Sequence, residues 1–89
     1  MRFIVNKKLY DTDNAELICT GLKKWDINAV VYAWLSTSLY RTSKGTFFIV
    51  AEDGKMCRMK IIDQNEAENF CLKNDYDKYV EVFGELEEG

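Results

Sequence analysis

The run Phe47-Phe48-Ile49-Val50-Ala51 leaves this 89-residue chain few ways to fold. On an extended backbone successive side chains point to opposite faces, so Phe47, Ile49 and Ala51 share one face and Phe48 and Val50 the other. Both faces are apolar, which suits a central strand packed on one side and at least partly covered on the other rather than an exposed edge. Turn signals bracket the run. Thr42-Ser43-Lys44-Gly45 precedes it, and Asp53-Gly54 follows it as a dipeptide that tolerates the positive φ of a tight hairpin turn. Ahead of the first turn, Leu39 and Arg41 alternate with Tyr40 and Thr42; beyond the second, Met56, Arg58 and Lys60 alternate with Cys57, Met59 and Ile61. The spacing predicts a three-strand antiparallel meander over Thr37 to Ile62.

Upstream, Arg2 to Val5 and Leu9 to Thr12 flank Asn6-Lys7-Lys8 and read as a first hairpin. Ala15 to Thr20 reads as a strand ended by Gly21. Val30 to Leu35 has the length of a strand or a short helix, and its β-branched and aromatic content favours the strand. From Asp63 the period becomes helical. Asp63 and Glu66 have the form of a capping box, and Ala67, Phe70 and Cys71 fall at i, i+3, i+4 in a helix ending near Lys73-Asn74. Asp75 can cap a second helix with the stripe Tyr76, Tyr79, Val80 and Phe83, stopped by Gly84. Each helix has one narrow apolar face, and the sheet is the available partner. The expected fold is therefore α+β, an antiparallel β-sheet meander with one or two C-terminal α-helices packed on one face. It forms a single domain over residues 1–89, mainly β over 1–62, helical over 63–84, with an acidic tail at 85–89 that frays.

The residue inventory narrows the chemistry. There is no histidine, which removes the commonest general base and transition-metal ligand. Cys19, Cys57 and Cys71 lack a CxxC spacing and read as reduced thiols serving as small apolar residues, with a dimer-forming or redox-active thiol as the alternative. No glycine-rich phosphate cradle is present, and Asp11-x-Asp13 with Glu16 lacks the glycine and terminal glutamate of a calcium loop. The expectation is a protein that is not an enzyme and carries no cofactor or metal. No apolar run reaches the ~18 to 20 residues of a membrane span, and the first residues turn polar too early for a signal peptide. A cytoplasmic protein without a membrane partner follows.

Charge is unevenly distributed. Residues 1–60 hold ten Lys/Arg against six Asp/Glu, and residues 61–89 two against nine, giving +4 and −7 and a net −3. Two candidate surfaces result. Arg41, Lys44, Lys55, Arg58 and Lys60, interleaved with Tyr40, Phe47 and Phe48, have the make-up of a sheet that stacks bases and follows phosphates. Glu68, Asp77, Glu81, Glu85, Glu87 and Glu88 have the make-up of an acidic surface that engages a basic groove on a partner protein. Asp63, Glu66, Asp75 and Asp77 also fall at helix N-termini, where capping and the macrodipole account for them.

In Tyr10-Asp11-Thr12, in Leu39 to Gly45 followed by Phe47-Phe48, in Glu66-Ala67 and more weakly in Phe83-Gly84-Glu85, the chain resembles a loose group of small proteins carried by phages, plasmids and integrative elements of Firmicutes. It departs from them where they often have Gly-Gly and a longer polar loop after the aromatic strand; here stands Glu52-Asp53-Gly54. The resemblance implies a mobile-element accessory protein, and some proteins of similar size, acidity and setting are anti-CRISPR inhibitors. The leading expectation is a non-catalytic inhibitor or adaptor that binds a host or phage protein complex, most sharply a CRISPR effector, in the bacterial cytoplasm. A nucleic-acid-binding regulator acting through Arg41, Lys44, Arg58 and Lys60 is the second reading, and a homodimeric structural protein the third.

Overall fold

The computed structural model describes residues 1–54 and 56–84, and it is α+β. Strands β1 (Arg2–Val5) and β2 (Lys8–Asp11) form a separate antiparallel ribbon. Its two-residue turn places Asn6 and Lys7 at φ 51° and 63°, the doubly left-handed geometry that matches the twist of flanking strands. Strands β3 (Glu16–Asn28), β4 (Val31–Arg41), β5 (Phe47–Asp53) and β6 (Met56–Ile62) make one antiparallel sheet in chain order. Helices α1 (Gln64–Asn74) and α2 (Tyr76–Phe83) close the described chain, and neither is long and apolar enough to cross a membrane.

The predicted meander is the last three strands of this sheet, and Val31 onward is strand rather than helix. The β4–β5 turn is closed by Gly45 N–H donating to Thr42 O at 2.9 Å and Thr46 N–H donating to Thr42 Oγ1 at 3.1 Å, with Gly45 at φ 87°. The β5–β6 turn sits one residue later than its dipeptide suggests. Asp53 is still paired, with Met56, and the left-handed φ of 61° belongs to Gly54. Both helix caps form as expected: Asp63 Oδ1 accepts from Glu66 N–H at 2.8 Å and Asp75 Oδ1 from Lys78 N–H at 3.2 Å, each satisfying an otherwise orphaned amide.

The expected strand end at Gly21 is corrected: β3 runs through it for seven more residues, to Asn28. Gly21 serves a different need. A Cβ on it would lie 2.2 Å from Cγ of Asn74, so the last turn of α1 approaches the sheet only because that atom is missing. Asn74 is held there by donating from Nδ2 to Phe70 O at 2.9 Å.

Three layers follow from the alternation in β5. On one face Phe47, Ile49 and Ala51 join Ile18, Cys19, Leu39 and Ile62 under Ala67, Phe70, Cys71 and Tyr79 of the helices. On the other, Phe48 and Val50 lie under the β1–β2 ribbon with Tyr10, Phe3 and Val5. A bulge between Leu17 and Cys19 allows the adjacent Ile18 and Cys19 both to be buried, against strict alternation.

β3 and β4 outrun the rest of the sheet. β5 pairs with β4 only from Thr37 to Arg41, so residues 22–36 form a two-stranded arm. Its inner side is tied down: Trp25 is buried, Ile27 and Leu35 pack on the helix-side core, and Trp25 Nε1 donates to Thr37 Oγ1 at 2.9 Å. The Thr37 hydroxyl donates in turn to Leu35 O at 2.9 Å.

Candidate functional site

The outer side of the arm is differently made. The register sets Leu22 opposite Ser36, Lys24 opposite Trp34 and Asp26 opposite Tyr32, which places Leu22, Lys24, Tyr32 and Trp34 on one face. Leu22, Tyr32 and Trp34 are 61%, 55% and 67% exposed. Lys24 extends across this face, with Nζ 4.6 Å from the Tyr32 ring centroid, a cation–π contact that holds the ring in place. At the tip, Val30 N–H donates to Asn28 Oδ1 at 3.0 Å. Beside the arm is an open hollow of about 340 Å³. Leu22, Lys23, Lys24 and Trp34 line its sheet side, and Glu66, Phe70 and Lys73 its α1 side.

The predicted basic surface does not converge on exposed aromatics. Arg41 donates from Nε to Glu16 Oε1 at 3.1 Å, within the sheet. Lys44 lies exposed in the β4–β5 turn, beside Lys7 and Lys8 around a second hollow. Arg58 and Lys60 stand opposite Ala51 and Ile49, whereas Arg41 stands opposite Phe47. Arg41 and Arg58 are thus offset by four residues, roughly 13 Å, along the strand direction and lie on opposite sides of β5. Phe47 and Phe48 are core, and Tyr40 is stacked on Phe48 with centroids 5.3 Å apart. Lys55 lies outside the described residues.

The predicted acidic residues are spread over both helices. Glu68 is half-buried on α1, Asp77 is exposed in the first turn of α2, and Glu81 is paired with Lys78 at 3.3 Å. Glu85, Glu87 and Glu88 lie outside the described residues. Other acids are used locally. Asp11, buried, accepts from Asp13 N–H at 3.0 Å and Asn14 Nδ2 at 3.1 Å and faces Arg2 Nε at 3.5 Å, so the Tyr10-Asp11-Thr12 element is a turn-closing device.

Cys19 and Cys71 are buried with their Sγ atoms 3.1 Å apart, while Cys57 is exposed. Burial pushes both inner thiols up; the contact with Cys71 and the Asp75 charge raise Cys19 further, and Asp75 also raises Cys71. Both are therefore protonated, poor nucleophiles at neutral pH.

The arm's outer face is the part that sequence reasoning passed over. A signal was present: with Trp25 and Ile27 assigned to one side of a strand, Leu22 and Lys24 fall on the other, and the same count puts Tyr32 and Trp34 opposite Leu35 and Thr37. No protein-family model, curated protein or solved structure matches the chain.

Proposed function

We propose that the protein is a non-catalytic binding module that inhibits or adapts a partner protein by covering its surface with the outer face of the arm. One observation carries this reading: Leu22, Tyr32 and Trp34 are exposed together on one face of a ribbon whose other face is anchored to the core. Tryptophan and tyrosine are the side chains most enriched among energetic hot spots of protein interfaces, and they lose little conformational entropy on binding. A ribbon fixed by Trp25 and Thr37 presents them already ordered, which lowers the cost of association. The acidic residues Glu68, Asp77, Glu81, Glu85, Glu87 and Glu88 act in this scheme by steering encounter at long range with a basic surface of the partner.

In the mobile-element setting that the resemblance implies, the sharpest form is an anti-CRISPR inhibitor bound to a Cas effector. Purified protein titrated into guide-loaded Cas effectors tests it, with target cleavage and co-migration on native gels as readouts. The expected result is stoichiometric loss of cleavage by one effector, abolished in a Tyr32→Ala, Trp34→Ala double variant that unfolds at the same temperature as the parent. If no effector is bound, the CRISPR form fails. If an effector is bound equally well by the double variant, the arm is not the binding surface.

A second reading, nucleic-acid binding, is favoured by the contact of Lys24 with Tyr32 beside exposed Trp34, since cations next to open aromatic faces are what single strands use. Gel shifts at two salt concentrations separate the two, because phosphate contacts weaken steeply as salt rises.

A further inference from the structure

β3 is the end strand of its sheet: β4 pairs with one edge, and among the described residues no strand pairs with the other. At 13 residues it is long for an edge. Proteins usually shorten or block such edges, because a row of unpaired N–H and C=O groups is a template for another strand. The hollow beside the arm is lined from both faces of the sheet, by Leu22, Lys24 and Trp34 on the outer side and by Lys23 and α1 on the other, so apolar side chains and charges meet beside the unpaired edge. Lys23, Lys24 and Lys73 contribute three cations to the lining and Glu66 one carboxylate. In a chain of net charge −3 this spot has the opposite sign to the whole. Among the described residues none of the three lysines is in an ion pair.

We infer that the free edge of β3, from Leu22 to Asp26, receives an extended acidic segment of the partner protein as an added strand. The inference rests on the protein-binding reading above and names what that site takes. Main-chain hydrogen bonds to the edge supply the register, and alternate side chains of the added strand supply selectivity. One set of side chains, on the outer face, is apolar and packs on Leu22 and Trp34. The other, on the helix side, is carboxylate and reaches Lys23 and Lys73. A peptide suits the place better than a nucleic acid for two reasons. The strand edge rewards another backbone amide, which a phosphodiester lacks. Glu66 opposes a continuous polyanion, whereas a peptide can set its carboxylates only where the lysines are.

Fluorescence polarisation on the full chain tests the inference. The probe is a labelled heptapeptide alternating Glu with Val and Leu. Three comparison ligands are the same peptide N-methylated at alternate amides, a version with Lys in place of Glu, and an oligothymidylate strand. The acidic probe is expected to bind, with affinity falling about tenfold or more on N-methylation and on Glu→Lys replacement. A Lys23→Glu, Lys73→Glu variant, checked for folding by circular dichroism, loses about tenfold or more, and so does Trp34→Ala. Equal binding of the N-methylated peptide overturns strand addition, equal binding of the lysine peptide overturns charge selection, and tighter binding of the oligothymidylate replaces the ligand class. If the acidic probe fails while capture of an effector still depends on Trp34, this inference falls and the functional reading stands. Effector capture that ignores Trp34, with intact probe binding, has the reverse meaning.

Discussion

β5 and the arm are built from the same kinds of side chain and end in opposite circumstances. All five residues of Phe47-Phe48-Ile49-Val50-Ala51 are buried, whereas Leu22, Tyr32 and Trp34 stand in solvent. The difference lies in what covers each second face. Over β5, Tyr10 of the ribbon meets Phe48 edge-on with centroids 5.6 Å apart, and Tyr40 stacks on the same ring. Over the arm, the ribbon has ended and β5 has stopped pairing at Thr37. Aromatic content alone therefore does not separate scaffold from surface; the extent of the neighbouring layer does. The contrast is broken most severely at Phe48, whose ring is fully buried between sheet and ribbon. Phe48→Ala is expected to cost about 3 to 5 kcal/mol, lost burial and residual cavity together. Urea denaturation measures it, and a loss below about 1 kcal/mol would mean that the ribbon does not seal that face.

Gly21 tests where the arm is rooted. Adding a methyl group forces Asn74 aside, so Gly21→Ala is expected to destabilise by about 1 to 3 kcal/mol, the range for overpacking a tight contact. Asn74→Ala in the same chain makes room and recovers much of that loss, giving a favourable coupling in a double-mutant cycle. Additive effects would show that α1 does not rest on β3 through this pair.

The thiol pair joins the same two elements and gives a pH signature. Burial raises Cys19 and Cys71 above their ordinary value of 9.0, so above that pH the unfolded chain releases protons that the folded chain keeps. The unfolded state then binds fewer protons, and stability is full below about pH 9 and falls as pH rises, by at most about 1.4 kcal/mol per pH unit for each thiol. Cys71→Ala removes one titrating group and is expected to make the decline shallower between pH 9 and 10.5 without altering the slope at pH 7 to 8. Urea titrations across that range read it; an unchanged decline would place the loss in other groups.

How much of this was legible depended on how local the cause was. The β5 strand, its turns and both helix caps come from residues within a few positions of each other, and they could be placed from alternation and turn chemistry, the second turn to within one residue. Gly21 could not, because its reason is Asn74, 53 positions later; taken alone, a glycine after an apolar run looks like a stop. Arg41 read as a free cation for the same kind of reason, since its partner Glu16 lies 25 residues earlier and only the β3–β4 register brings them together. The outer face of the arm failed differently. Lys24-Trp25-Asp26-Ile27 alternates, but a strand's parity has no inside until something is packed against it. Here that was set by Trp25 finding Thr37.

The smallest stability effect is expected where the largest functional one is proposed. The arm carries two tryptophans: Trp25 is buried with its indole N–H bonded to Thr37, and Trp34 is mostly exposed. Trp34→Ala removes little buried area and leaves no orphaned donor, so it should shift stability by no more than about 0.5 kcal/mol, as at ordinary surface positions. In single-tryptophan variants, acrylamide should quench Trp34 readily and Trp25 poorly, and only Trp34 should become protected when the acidic probe or a partner binds. A Trp34→Ala loss approaching that of Phe48→Ala would erase the distinction, because it would make the outer face of the arm part of the core and leave no ordered apolar surface for a partner to cover.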